Sequence, residues 1–222
     1  MKIIELKETI TASNDKDAEV LRNEMKEKGT LLINLMASPG AGKTTLLERT
    51  IKEICNKYKI GVLEADVDSD VDAVRVEVAG AKAIQVHTGG MCHMDAGMTR
   101  HGLEELGYIG LDVVFLENVG NLICPAEFDT GAGKKVMILS TPEGDDKPLK
   151  YPLMFSESDV LLVSKMDVKD YFDFDLNKCV ERSKKLNPNI LVFPVSSKTG
   201  DGFSEWINWL INEIKEWKGI KR

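Results

Sequence analysis

Leu31-Leu32-Ile33-Asn34-Leu35-Met36-Ala37-Ser38-Pro39-Gly40-Ala41-Gly42-Lys43-Thr44-Thr45 decides the fold. The apolar run 31–36 reads as a strand buried on both faces, and a helical pattern starts at Lys43 and runs to 57. Between them the chain matches G-x-x-x-x-G-K-[ST] at every fixed position except the first, where Ala37 stands. In such a turn backbone N–H groups converge on phosphate oxygens. Glycine lets the chain come close, and the helix N-terminus adds its positive dipole. Lys43 is then set to neutralise the β- and γ-phosphates and the Thr44 hydroxyl to ligate Mg²⁺, with Ser38, Pro39, Gly40, Ala41, Gly42 and Thr45 completing the cradle. Ala37 is acceptable if its φ is negative.

Outward from this stretch, short apolar runs alternate with longer amphipathic patterns. Strands are expected at 31–36, 60–65, 83–86, 113–116, 136–139, 160–163 and 190–194, and helices at 13–28, 43–57, 71–79, 95–106, 175–186 and 203–217. The alternation predicts a three-layer α/β domain, a P-loop NTPase fold with a mostly parallel central sheet. It reads as one domain over 1–222, with 1–29 a helical segment packed on it or preceding it. Residues 141–153, with three prolines and a glycine, are the longest expected loop.

Composition is that of an ordinary globular chain, 43% hydrophobic and 29% charged, and the net charge of −7 argues against wrapping nucleic acid or lying on anionic lipid. No apolar run reaches membrane-spanning length, and the first residues lack a signal-peptide layout, so a cytoplasmic location is expected. There Cys55, Cys92, Cys124 and Cys179 should be reduced, which favours metal binding over a disulfide framework.

Later segments speak to the nucleotide. Glu64-Ala65-Asp66-Val67-Asp68-Ser69-Asp70-Val71-Asp72 follows the second strand, on the sheet edge where open α/β proteins bind ligands. Asp66 is the first candidate there for Mg²⁺ or for orienting water, and Asp72 the second. The fourth strand ends in Glu117, an acid placed beside Mg²⁺, and Gly120 resembles the glycine whose N–H senses the γ-phosphate in GTPases. Ser164-Lys165-Met166-Asp167 resembles the Asn-Lys-x-Asp element that reads guanine, with Asp167 as acceptor. Ser196, Ser197 and Lys198 resemble the last guanine-contacting loop. Together these elements favour GTP over ATP.

Cys92-His93 follows the third strand, and Cys124 stands seven residues past Glu117. Thiolate and imidazole suit Zn²⁺ and Ni²⁺. Buried small hydrophobes are the alternative reading of these cysteines, and it is the preferred one for Cys55 and Cys179. Three good ligands point to a fourth from water or from a second chain across a two-fold axis, and His101 is a further candidate.

Several segments resemble the hydrogenase nickel-incorporation GTPases, the HypB family, over essentially the whole chain from about residue 30. These are residues 38–45, Asp72-Ala73-x-Arg75, residues 88–96 around Cys92-His93, Glu117-Asn118-Val119-Gly120-Asn121-Leu122-x-Cys124-Pro125, and residues 143–152. The resemblance implies a GTPase that binds Mg²⁺, delivers nickel during [NiFe]-hydrogenase maturation alongside other maturation proteins, and forms a homodimer on binding GTP. It implies Cys92, His93 and Cys124 as the interface metal ligands, and Lys43, Thr44, Asp66, Asp72 and Glu117 as nucleotide and Mg²⁺ positions. Some members carry an amino-terminal cysteine motif or histidine-rich stretch, whereas residues 1–30 here contain neither Cys nor His. The competing readings are a urease-type nickel GTPase, whose Cys-Pro-His motif is absent, a P-loop small-molecule kinase, and a metal buffer with a vestigial nucleotide site.

Overall fold

A computed structural model describes the chain over residues 6–65 and 71–220, with side chains from 11–65 and 74–220. Seven parallel strands, β1 (Leu31–Ala37), β2 (Ile60–Glu64), β3 (Lys82–Gln85), β4 (Val113–Glu117), β5 (Lys134–Ser140), β6 (Val160–Ser164) and β7 (Leu191–Pro194), form one sheet. Their order is β3-β2-β4-β1-β5-β6-β7. The central strand β1 is flanked by β4 and β5; the chain leaves β1 for β2 and β3 on one side of it, and from β5 it builds outward to β6 and β7 on the other. That reversal opens a crevice at the carboxyl edge of β1, directly above the cradle.

Burial on both faces explains the unbroken apolar runs. Leu31, Ile33 and Leu35 face one layer, formed by α2 (Lys43–Ile54), α3 (Val71–Ala79) and α9 (Phe203–Trp217). Leu32 and Met36 face the other, formed by α1 (Leu6–Lys28), α4 (Ala96–Leu106), α7 (Pro152–Ser156) and α8 (Leu176–Leu186). The model thus has the three layers and the parallel sheet expected from sequence. Gly61 in β2 is required by close packing, since a Cβ there would lie 2.7 Å from Leu106 and Leu111.

Most boundaries fall within a few residues of the reading of the sequence, and two segments differ more. The first helix begins at Leu6, where 13 was expected. Residues 141–153 are no open loop: a 3-10 turn (Thr141–Glu143), α6 (Lys147–Lys150) and the start of α7 occupy them, while α5 (Cys124–Glu127) is a single turn after β4. Pro142, Pro148 and Pro152 each sit in the first turn of one of these short helices, where a missing N–H costs nothing. No helix among the described residues is long and apolar enough to cross a membrane.

Candidate nucleotide and metal site

The cradle closes because Gly40 and Gly42 take positive φ, 75° and 95°, conformations that L side chains avoid, while Ala37 is not among the positive-φ residues. Above it lies a cavity of about 580 Å³ lined by Gly40, Gly42, Lys43, Thr44, Glu117 and Gly120, among others. Buried Thr44 donates from Oγ1 to Oε1 of Glu117 at 2.8 Å, so the two oxygens expected on Mg²⁺ already meet. Such an all-oxygen donor pair fits a hard divalent cation. Gly120 abuts the cradle, since a Cβ on it would lie 3.1 Å from the backbone nitrogen of Pro39. A side chain at 120 would separate this segment from the phosphate site.

Of the segments expected to read the base, the one at 164–167 is tied to the cradle. Ser164 Oγ donates to the Ala41 carbonyl at 2.8 Å and Lys165 Nζ to the Gly40 carbonyl at 2.7 Å, so the short serine still ties this segment to the cradle. Lys165 itself has φ 60°, the only positive φ of a non-glycine residue among those described. Ser196, fully buried, donates to Asp167 Oδ1 at 2.8 Å, which orients that carboxylate. Ser197 offers its carbonyl to Arg49, and Lys198 is exposed. Of these residues only Lys165 lines the cavity itself.

Cys92, His93 and Cys124 bring one ligand atom each within 4.8 Å of one another. Their sulfurs stand 2.9 Å apart as free thiols, and this proximity, followed by burial, raises the Cys92 pKa above the usual thiol range. Two thiols in that position share what a thiolate-seeking cation would claim. His93 is buried and stacked on Phe128 with centroids 3.9 Å apart, and burial lowers its pKa, which keeps the imidazole neutral and able to bind metal. Its Nε2 has no hydrogen-bond partner among the described residues.

His101 is exposed on α4 and is not part of this cluster. Cys179 is fully buried, its thiol pushed up to about 11 by burial, in line with the core reading, and Cys55 is half-buried. Asp66 lies outside the described residues, and of Asp72 only the backbone, in α3, is described.

The family model for the CobW/HypB/UreG nucleotide-binding domain matches residues 31–194. A hydrogenase maturation factor HypB of Azotobacter vinelandii is 41% identical over 209 residues, covering 94% of this chain and 69% of the relative. The chain belongs to the HypB family. Its fold is similar to the crystal structure of HypB from Archaeoglobus fulgidus, with TM-score 0.86 and 39% identity over 91% of this chain and 99% of that one. HypB from Helicobacter pylori, crystallised in complex with nickel, gives TM-score 0.85 and 36% identity, over 92% and 96% of the two chains.

Three residues of this HypB site lie in segments quoted from the sequence but were given no role of their own there. Glu64 ends β2 in register with Glu117, is 2% exposed and lines the cavity, but it reads as a mere strand end before the conspicuous run of aspartates. Asn118 accepts from the backbone of Met94 at 3.2 Å and donates to Asn34 Oδ1 at 3.1 Å. It thereby fastens the residue after His93 to the strand that carries the cradle. Arg75 also lines the cavity. Its spacing from the cradle carries no signal, because α3 is placed by the sheet rather than by sequence proximity.

Proposed function

We propose that this chain is a Mg²⁺-dependent GTPase that binds nickel and delivers it during maturation of [NiFe]-hydrogenase. One observation carries the reading. Glu117, hydrogen-bonded to Thr44 in the cradle, and Cys124, against Cys92, lie on one short segment, and Asn118 between them is bonded to the metal loop. Family membership supports GTP as the nucleotide, as does Asp167, which Ser196 holds in place as an acceptor for the donor edge of guanine.

In this reading Lys43 and the cradle N–H groups hold the phosphates, and Thr44 and Glu117, with Asp66 and Asp72 as further candidates, hold Mg²⁺. Bound there, Mg²⁺ supplies charge neutralisation on the phosphate oxygens. Gly120 senses the γ-phosphate through its N–H, and Lys165, Asp167, Ser196, Ser197 and Lys198 surround the base. Cys92, His93 and Cys124 bind nickel as cargo, and the same soft donor set accepts Zn²⁺. Three ligands leave a coordination position that a second copy of the chain fills, so GTP-driven dimerisation and metal binding are coupled. We assign the protein to the cytoplasm as one GTPase domain, working with other hydrogenase-maturation proteins.

The deciding experiment is calorimetric titration of Ni²⁺ and Zn²⁺, with and without a non-hydrolysable GTP analogue and Mg²⁺. A Cys92→Ala/Cys124→Ala variant serves as control. Nucleotide-dependent metal affinity, lost in the variant, is expected, with the metal shifting GTP affinity by the same factor. Metal binding that ignores both nucleotide and variant sinks the delivery reading while leaving the GTPase intact.

A further inference from the structure

Arg75 projects from α3 into the wall of the nucleotide cavity, yet its guanidinium is engaged sideways. Nη2 donates to Glu48 Oε2 at 3.0 Å and to Thr45 Oγ1 at 3.3 Å. Glu48 is doubly held, since Lys52, one turn further along α2, donates to the same carboxylate. The carboxylate therefore keeps a cation when Arg75 leaves. Both side chains are partly exposed, 39% for Arg75 and 26% for Glu48, where ion pairs contribute little. Thr45, the second partner, belongs to the cradle and lines the same cavity. The other cations on that lining are Lys43 and Lys165, and the Lys165 ammonium is already on the Gly40 carbonyl. Two buried carboxylates, Glu64 and Glu117, face the same space. A polyphosphate entering beside them calls for another fixed positive charge, and an arginine fork matches phosphate geometry.

We propose that Arg75 is a phosphate ligand of the bound nucleotide, parked on Glu48 and transferred to the phosphate chain when the cavity fills. The inference rests on the nucleotide-binding reading above and extends it to a residue and an exchange of partners. It makes Glu48 a competitor of the nucleotide, with a consequence of opposite sign for the two partners of one ion pair.

The test measures GDP and GTP affinity in Mg²⁺ buffer for the unmodified chain, Arg75→Gln and Glu48→Gln, with thermal unfolding recorded without nucleotide. Arg75→Gln is expected to weaken both nucleotides roughly tenfold, and Glu48→Gln to tighten both by about two- to threefold. Arg75→Lys, which keeps the charge but not the fork, should fall between and serves if the glutamine variant fails to fold. Unchanged affinity in Arg75→Gln overturns the proposal. Equal loss of affinity and stability in both variants also overturns it, because the pair is then only a tie between α2 and α3. An unmodified chain that binds neither nucleotide overturns the nucleotide reading itself.

Discussion

Asp167 shows how a single carboxylate acquires a task from its neighbours. Buried Ser196 donates its hydroxyl to one carboxylate oxygen, which fixes the orientation of the group. Guanine presents adjacent N–H donors to such an acceptor, so Asp167→Asn, which puts a donor against a donor, should cut GTP affinity by roughly a hundredfold while sparing the fold. Competition titrations with GTP and ATP check this, and equal loss of both would remove Asp167 from base recognition. Thr44 is the corresponding case at the metal end. Removing its hydroxyl in Thr44→Ala leaves Glu117 Oε1 without its 2.8 Å donor. Hydrolysis should drop by about a hundredfold or more, with a raised Mg²⁺ requirement that is visible in turnover against Mg²⁺ concentration. The residue chemistry of the cradle was readable because its motif is local. The place of Glu64 and Arg75 on the cavity was not, since they reach it only through strand register and helix packing.

At the level of elements, α1 is fastened to the rest of the fold through polar contacts more than its sequence pattern advertises. Glu24 receives Arg100 and the Tyr108 hydroxyl, the latter at 2.7 Å, so one carboxylate of α1 holds the middle of α4 and the turn just past its end. Burial first, and this bond second, push the Tyr108 phenol up from 10.0 to about 12. In the unfolded chain the phenol ionises near 10, so its stabilising contribution is complete below that pH and is lost as pH climbs toward about 12. Tyr108→Phe should cost about 1 kcal/mol near neutrality and flatten the alkaline fall in stability, measured by denaturant unfolding across pH. Gly202, at the N-terminus of α9, has φ 72° and would place a Cβ 2.0 Å from the Pro194 carbonyl oxygen. Gly202→Ala should therefore destabilise by more than about 2 kcal/mol in the same assay. Strands and long helices were legible because apolar runs buried on both faces leave an unmistakable trace, as in β1 and β4. Residues 141–153 were misjudged because prolines that open a helix and prolines that break one look alike until the preceding turn is known. The early start of α1 was missed because its first turns are mostly polar.

For the molecule as a whole, the parallel sheet sends every strand's carboxyl end to one edge. The cradle, Glu117, the segments expected to read the base and the cysteine pair follow from that edge. The candidate metal ligands were individually visible in the sequence, but their meeting depends on β3 and β4 lying on the same side of β1, which no spacing reveals. If the cluster is completed by a second copy, sedimentation should show dimer with a non-hydrolysable GTP analogue plus Ni²⁺, and a marked return toward monomer in Cys92→Ala/Cys124→Ala. An unaltered dimer in the variant would detach assembly from the metal.

The position of Asn118 has one more consequence. Its amide is bonded at once to the metal loop, at Met94, and to Asn34 of the central strand, next to the carboxylate that meets Thr44. If nucleotide turnover moves this segment, as the proposed function has it, a cation held there would have a residence time set by the clock of that turnover rather than by its own affinity. Tight capture and prompt release would then need no compromise, because they would belong to different moments of one cycle.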